Sequence, residues 1–285
     1  MKKKQIASLM AGAVLATSVA SVSADSSYEH IRNATGKLTY NNTTILIDPF
    51  FAAKNTYPGF EGTFNSQQTL PLIDLPESID EILKDVDAVV VTHTHLDHWD
   101  EMAAKTIDKN LPIYVQNESD QALIQKQGFK DVRVLSDSAT FNGITMTHAN
   151  GSHGTDEMYQ NKAAADLLGD AMGVVFTAPN EKTVYVVGDT IWTPEVSKNI
   201  SKFSPDVLVM NTGYAKLLGF GGSIIMGTED VGKAAKVAPN AKIITVHMET
   251  VNHTEVDRKA MRKYVNGMQL NDRVVIPEDG ETIKL

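Results

Sequence analysis

Residues 86–98 read VDAVVVTHTHLDH: an apolar run, 88–91, followed at once by three histidines and an aspartate within six positions. A valine-rich run without polar alternation is the pattern of a strand covered on both faces. Histidine and aspartate are costly to bury without partners, so the end of this strand must supply some. His93 and His95 stand two apart in extended chain and point the same way. Asp97 and His98 follow where a helix over 97–107 is expected to begin. Two imidazoles on one side and a carboxylate–imidazole pair beside them suit two neighbouring divalent ions, zinc first, with manganese and iron as alternatives. The chain contains no cysteine, so any metal must be held by His, Asp or Glu.

The rest of the chain alternates strands and helices. A hairpin is expected over 36–40 and 43–48 about Asn41-Asn42, residues that tolerate positive φ. Residues 49–76 carry four prolines and five aromatic residues with little periodicity, and read as a long ordered loop of the kind that lines a site. Further strands are expected at 112–115, 132–135, 141–147, 174–176, 183–187, 207–210, 243–246, 274–276 and 282–284, and helices at 119–126, 228–237 and 255–265. Residues 154–172 read as a loop with a helical segment. This order predicts α/β layers, in one domain over 25–285. With 285 residues, 42% of them hydrophobic, the chain is long enough for a large core without disulfides.

The N-terminus has a separate character. Met1-Lys2-Lys3-Lys4 is a basic start, an apolar stretch follows to about residue 22, and Val22-Ser23-Ala24 places small residues before Asp25. This is the three-part form of a secretory signal peptide, cleaved after Ala24, leaving no stable membrane anchor. Export to the periplasm or beyond is expected. Removing residues 1–24 takes away three lysines and no acid, so the formal charge falls from −9 to −12. So acidic a protein has no general attraction for nucleic acid or anionic lipid, and a small-molecule substrate is the expected partner.

His93-Thr94-His95-Leu96-Asp97-His98 resembles the HxHxDH signature of the metallo-β-lactamase superfamily. That family places a third histidine, an aspartate and a last histidine after later strands, and "MTHANGSHGT", "VYVVGDTIW" and "IITVHMETVNH" occur here in that order. The resemblance covers essentially all of the chain after residue 24. It implies a four-layer αββα sandwich with two metal ions at one edge of the sheets. The residues alone leave His148 or His153 as the third histidine, and His247 or His253 as the last. They also leave Asp189 as either a ligand or a turn cap, and Asp48 as either a turn residue or a neighbour of the metals. The resemblance favours His153, in a GxHG pattern, and His247, at a strand end, with Asp189 bridging the ions and Asp48 close by. One metal would take His93, His95 and His153, and the other Asp97, His98 and His247. His148 and His253 then become supporting or substrate-contacting groups.

Coordination lowers the pKa of water from about 15.7 towards 7, so such a site would supply hydroxide to a lactone, ester or phosphoester. Asp97 would orient it or carry a proton. The chain is most similar to the branch that includes ascorbate-6-phosphate lactonase. Asn211, Tyr214 and Lys216, in the glycine-rich stretch 211–226, are candidate substrate contacts in the pocket wall. An aspartate in the bridging position is unlike the true β-lactamases, and the nucleic-acid-binding insertion of other members is absent. An iron-dependent redox enzyme or a non-catalytic metal-binding protein fits the same ligand set.

The mature N-terminus is expected at Asp25. Intact-mass analysis of protein from the cell envelope checks it, and retention of residues 1–24 would refute cleavage.

Overall fold

The valine-rich run is a strand buried at every residue, in one of two facing seven-stranded sheets. The computed structural model describes residues 26–285, so the expected signal peptide and its cleavage site lie outside the described residues. The first half of the chain contributes β1 (Ser27–Arg32), β2 (Thr35–Tyr40), β3 (Thr43–Ile47), β4 (Tyr57–Pro58), β5 (Thr69–Leu70), α1 (Ile79–Leu83), β6 (Ala88–Val91), α2 (Glu101–Thr106), β7 (Ile113–Val115), α3 (Glu118–Lys126) and β8 (Val132–Val134). The second half contributes β9 (Ser138–Phe141), β10 (Ile144–Asn150), α4 (Asp156–Gln160), α5 (Lys162–Leu168), β11 (Met172–Thr177), β12 (Val184–Val186), α6 (Pro194–Phe203), β13 (Val207–Asn211), α7 (Thr228–Val237), β14 (Lys242–Val246), α8 (Arg258–Gly267), β15 (Val274–Val275) and β16 (Glu281–Lys284). One sheet runs β16-β1-β2-β3-β6-β7-β8, and the other β15-β14-β13-β12-β11-β10-β9.

Alternation along each strand divides the core. Ala88 and Val90 of β6 meet Val184, Val186, Val207, Val209, Ile244 and Val246 between the sheets. Val89 and Val91, pointing the other way, pack with Ala103 and Ala104 of α2 and Ile124 of α3. On the far side Tyr185, Leu208, Met210 and Ile243 pack under Val196 and Ile200 of α6, Val231 and Ala234 of α7, and Met261 and Val265 of α8. A period of two therefore builds the four αββα layers.

The same topology gathers the strand ends. β3, β6, β7 and β8 run parallel, and so do β12 to β15. β10 is antiparallel to β11, which is antiparallel to β12, so β10 and β12 end on the same side. Loops after these strands converge on one edge, where ligands bind in open α/β sheets. There the sheets are tied together: Met172 N–H donates to the Thr92 carbonyl at 3.2 Å and His247 N–H to the Asn33 carbonyl at 2.9 Å.

Asn41 and Asn42 do turn the β2–β3 hairpin, both at positive φ. Other boundaries differ from expectation. The helix expected over 97–107 starts at Glu101, because Asp100 caps it by accepting from Ala103 N–H at 2.8 Å. The strand expected at 141–147 is a hairpin turning at Asn142-Gly143. The helix expected over 255–265 begins at Arg258, behind its cap Asp257. β1 has no apolar alternation to reveal it, since its Arg32 is fully buried and donates to the carbonyls of Phe50, Ala52 and Ile73. No helix among the described residues is long and apolar enough to cross a membrane.

Asp100 also accepts from Phe51 N–H at 3.2 Å and Ala52 N–H at 2.7 Å. With Arg32 it pins the irregular segment 49–76 to the first sheet. Asp100→Ala should remove a helix cap and strand two buried N–H groups, destabilising the protein by about 3 kcal/mol in denaturant unfolding. A loss below about 0.5 kcal/mol would show that other contacts hold the segment.

Candidate metal centre

Each ligand candidate follows the end of a strand. His93 comes two residues after β6, with His95, Asp97 and His98 in the turn before α2. His153 follows β10, Asp189 follows β12, and His247 directly follows β14. Gly188, at φ 74°, precedes Asp189, and a Cβ there would lie 2.3 Å from the Met172 carbonyl oxygen, so only glycine lets the chain turn so close to β11. Asp48 and His247 are themselves left-handed, at φ 47° and 62°. That conformation is uncommon for such residues and aims both side chains into the edge between the sheets.

The side chains meet around one oxygen. Asp189 Oδ2 lies 3.1 Å from His98 Nε2, 3.6 Å from His153 Nε2, 3.6 Å from His247 Nε2 and 3.9 Å from His93 Nε2. Among the described residues, three groups have ligand atoms within 4.8 Å of one another: His93, His95 and His153; His93, His98 and Asp189; and Asp97, His98 and His247. The first and last are the two triads expected from the sequence, and Asp189 lies between them.

The outer ring nitrogens decide whether this set fits a cation. His153 Nδ1 faces the Ile224 carbonyl at 2.9 Å and His95 Nε2 faces the Leu167 carbonyl at 3.0 Å. A carbonyl only accepts, so each of these nitrogens carries the hydrogen and the inner nitrogen of the neutral ring carries a lone pair. Those inner atoms, His153 Nε2 and His95 Nδ1, face each other at 3.3 Å. His98 Nδ1 donates to Asp48 Oδ2 at 2.9 Å, and Asp48 is itself held by the N–H and hydroxyl of Thr92 at 2.7 and 2.8 Å. The Thr92 hydroxyl lies 3.2 Å from His93 Nδ1, while His93 Nε2 is buried without a hydrogen-bond partner among the described residues. Lone pairs aimed at each other and at a carboxylate are repulsive unless a cation lies among them, so the donor set fits divalent metal.

The electrostatics agree for His93, His95, Asp97 and Asp189. Burial holds His93 well below the usual imidazole range and, with His153 beside it, brings His95 down to about 4. Burial works against charge on Asp97 and Asp189 too, but the surrounding imidazoles, His98 foremost, outweigh it and keep both carboxylates ionised. For His98 burial is likewise outweighed, by Asp189, Asp48 and Asp97, and its pKa is raised.

Above the cluster lies a cavity of about 190 Å³. His95, Asp97, His153 and Asp189, with Glu61 and Thr63, are among its polar lining, and Phe60, Leu96, Leu167, Leu168, Leu217 and Ile224 are its apolar walls. Of the aromatic residues in segment 49–76, Phe60 lines it, whereas Phe50 and Phe51 are buried in the core. His253 lines the cavity as well, and Asp257 rather than His253 caps α8. Asn211 donates to Asp189 Oδ1 at 2.5 Å and so orients the central carboxylate. His148 is turned away, its Nδ1 on the Leu135 carbonyl at 2.7 Å, and it joins no ligand group among the described residues.

Two candidate contacts need correction. Tyr214 lines a separate cavity with Trp192 and Glu229, and Lys216 pairs with Glu255 at 2.7 Å, while the alternate residues Ala215 and Leu217 are buried. From the same stretch, Leu217 and Ile224 reach the metal cavity instead. One contributor was not legible: Asn33, in the β1–β2 turn, donates to the Asp97 carbonyl at 3.1 Å and lies 3.4 Å from both Asp97 Oδ2 and His247 Nε2. Its only sequence signal is that of an ordinary turn asparagine.

Comparison with known proteins gives a consistent picture. A family model described as "Beta-lactamase superfamily domain" matches residues 43–248. UPF0173 protein YddR of Bacillus subtilis is 43% identical over 252 residues, 88% of this chain and 97% of that protein. A solved structure of a possible metal-dependent hydrolase from Veillonella parvula is 60% identical, with a TM-score of 0.91, and covers 92% of this chain and 100% of its own. The structure of isothiocyanate hydrolase from Delia radicum gut bacteria is 42% identical, with a TM-score of 0.88, over 91% of this chain and 99% of its own.

His153→Ala should lose bound metal while His148→Ala keeps it. Metal analysis of the two purified variants checks this, and the reverse result would exchange their roles.

Proposed function

The chain belongs to the metallo-β-lactamase superfamily, and on that premise we propose that it is a dinuclear metal-dependent hydrolase of small, uncharged, apolar electrophiles, with isothiocyanates as the substrate class. The observation that carries this reading is the cavity: apolar walls closing directly on the His/Asp cluster. At about 190 Å³ it is smaller than the ~300–1,000 Å³ typical of drug-sized sites. Among the described residues no lysine or arginine lines it, and Glu61, Asp97 and Asp189 do, which disfavours phosphate esters and other anions. The 42% identical isothiocyanate hydrolase supports the choice of substrate.

His93, His95 and His153 would hold one ion and Asp97, His98 and His247 the other, with Asp189 between them. Zinc suits this nitrogen-rich set, and manganese or iron is compatible with it. Bound there, divalent ions supply Lewis acidity and acidify water.

The protein's own groups do the rest. The leucine, isoleucine and phenylalanine walls take the alkyl or aryl substituent and exclude water from it. Water adds across the C=N bond of R–N=C=S: a C–O bond forms and the C=N π pair moves to nitrogen, which takes up a proton. The product is the thiocarbamic acid R–NH–C(=S)–OH. Its C–N bond then breaks as the hydroxyl proton passes to nitrogen, releasing R–NH₂ and O=C=S. Asp97 lines the cavity and is the carboxylate suited to carry these protons. Asn33 holds Asp97 in place through its backbone and side chain.

Metal-loaded protein should consume benzyl isothiocyanate and release benzylamine, and turn over p-nitrophenyl phosphate poorly. Chelation should abolish the activity. Asp189→Asn keeps the shape but removes the central charge, so it should fold, bind less than the full metal complement and lose activity by orders of magnitude. Full metal content with wild-type turnover in Asp189→Asn would sink the two-metal reading.

A further inference from the structure

His253 belongs to the cavity yet has no place in the ligand set. Its side chain is more than nine-tenths buried, it lines the cavity with Asp97, Asp189 and Glu61, and it joins none of the metal-holding groups among the described residues. Its Nδ1 is buried with no hydrogen-bond partner among the described residues. The ring stands edge-on to Phe60, with centroids 4.9 Å apart.

The backbone around it is fixed with some care. Lys216 N–H donates to the His253 carbonyl at 3.0 Å. The preceding Asn252, also buried, accepts from Phe60 N–H at 3.0 Å and donates to Thr63 Oγ1 at 3.0 Å and the Phe64 carbonyl at 2.8 Å. Thus one segment positions both the imidazole and the phenyl ring beside it.

A buried polar atom without a partner costs folding free energy, and an apolar side chain of similar shape would be cheaper. The imidazole is therefore placed for something other than packing. Burial brings its pKa down to about 4, so the ring is neutral at neutral pH. A neutral imidazole N–H is a good donor to a heteroatom on which negative charge develops, because it polarises that atom without adding a charge to the site.

Building on the hydrolase reading above, we propose that His253 is a catalytic residue that contacts the substrate and donates a hydrogen bond to the isothiocyanate nitrogen as the C=N electron pair moves onto it. The proton that ends on nitrogen comes from water by way of Asp97, so His253 starts and finishes neutral. Phe60, held against the imidazole, sets the direction from which the substituent on that nitrogen enters.

The test uses full-length metal-loaded protein with benzyl isothiocyanate, and compares wild type with His253→Phe and His253→Gln. His253→Phe should lower kcat by about 10²-fold, the cost of removing one well-placed donor. KM, metal content and Tm should be held, Tm even rising as the unpartnered atom is removed. His253→Gln, which restores an N–H donor, should recover much of the rate. Wild-type kcat in His253→Phe would overturn the proposal and leave the hydrolase reading intact. Loss of metal or a lower Tm in both variants would overturn it in favour of a structural role. A metal-loaded wild type that leaves benzyl isothiocyanate untouched would overturn the substrate reading, and this assignment with it.

Discussion

The structure turns on the crowding of imidazole nitrogens about one carboxylate oxygen, Asp189 Oδ2, in a largely buried place at the floor of a cavity. Four Nε2 atoms lie within 3.9 Å of it. Such a group is unfavourable without positive charge at its centre. Divalent ions there would take up the inward lone pairs, and the outer nitrogens of His95, His98 and His153 already have their acceptors. Those acceptors come from distant parts of the chain: Asp48 after β3, the Leu167 carbonyl at the end of α5 and the Ile224 carbonyl in the glycine-rich stretch. Metal binding is thereby coupled to the placement of the loops that also wall the cavity.

Precision at the centre comes from the sandwich beneath it. Its ligands are delivered from strand ends of both sheets, and those strands are locked by a core that alternates between the inter-sheet space and the helical layers. Two residues at these ends, Asp48 and His247, are held in left-handed backbone conformations. Strain of this kind costs of order 1–3 kcal/mol per residue and persists only where the surroundings over-determine it. Here Asp48 N–H donates to the Val90 carbonyl and His247 N–H to the Asn33 carbonyl, so each strained residue is pinned at its own backbone.

Selectivity belongs to other elements. The cavity walls come from the segment after β5's partner strand, from α5 and from the stretch between β13 and α7, none of which supplies the core of either sheet. Arg32 and Asp100 anchor residues 50–52, which lead into the first of these, and Asn252 ties it to the loop that carries His253. Apolar walls beside an ion-binding floor strengthen every electrostatic interaction within, which is the condition under which a single neutral donor matters for rate.

By itself the sequence determined the elements whose signals are local. The valine-rich strands, the Asn41-Asn42 turn and the His93–His98 cluster were legible because hydrophobic period, turn chemistry and ligand spacing are written within a few residues. The αββα layers followed from the resemblance those motifs carry. Tertiary structure alone decided the rest. Whether His148 or His153 enters the centre depends on where β10 ends, and the hairpin at Asn142-Gly143 carries that strand through His148 to Asn150. Tyr214 and Lys216 fall outside the metal cavity because the alternate residues Ala215 and Leu217 take the buried side of the chain there. Asn33 and β1 stayed hidden because their partners, Asp97 for the one and the carbonyls around Arg32 for the other, lie far along the chain. A side chain's role is readable from sequence when its partners are its neighbours, and only the fold can assign it when they are brought from elsewhere.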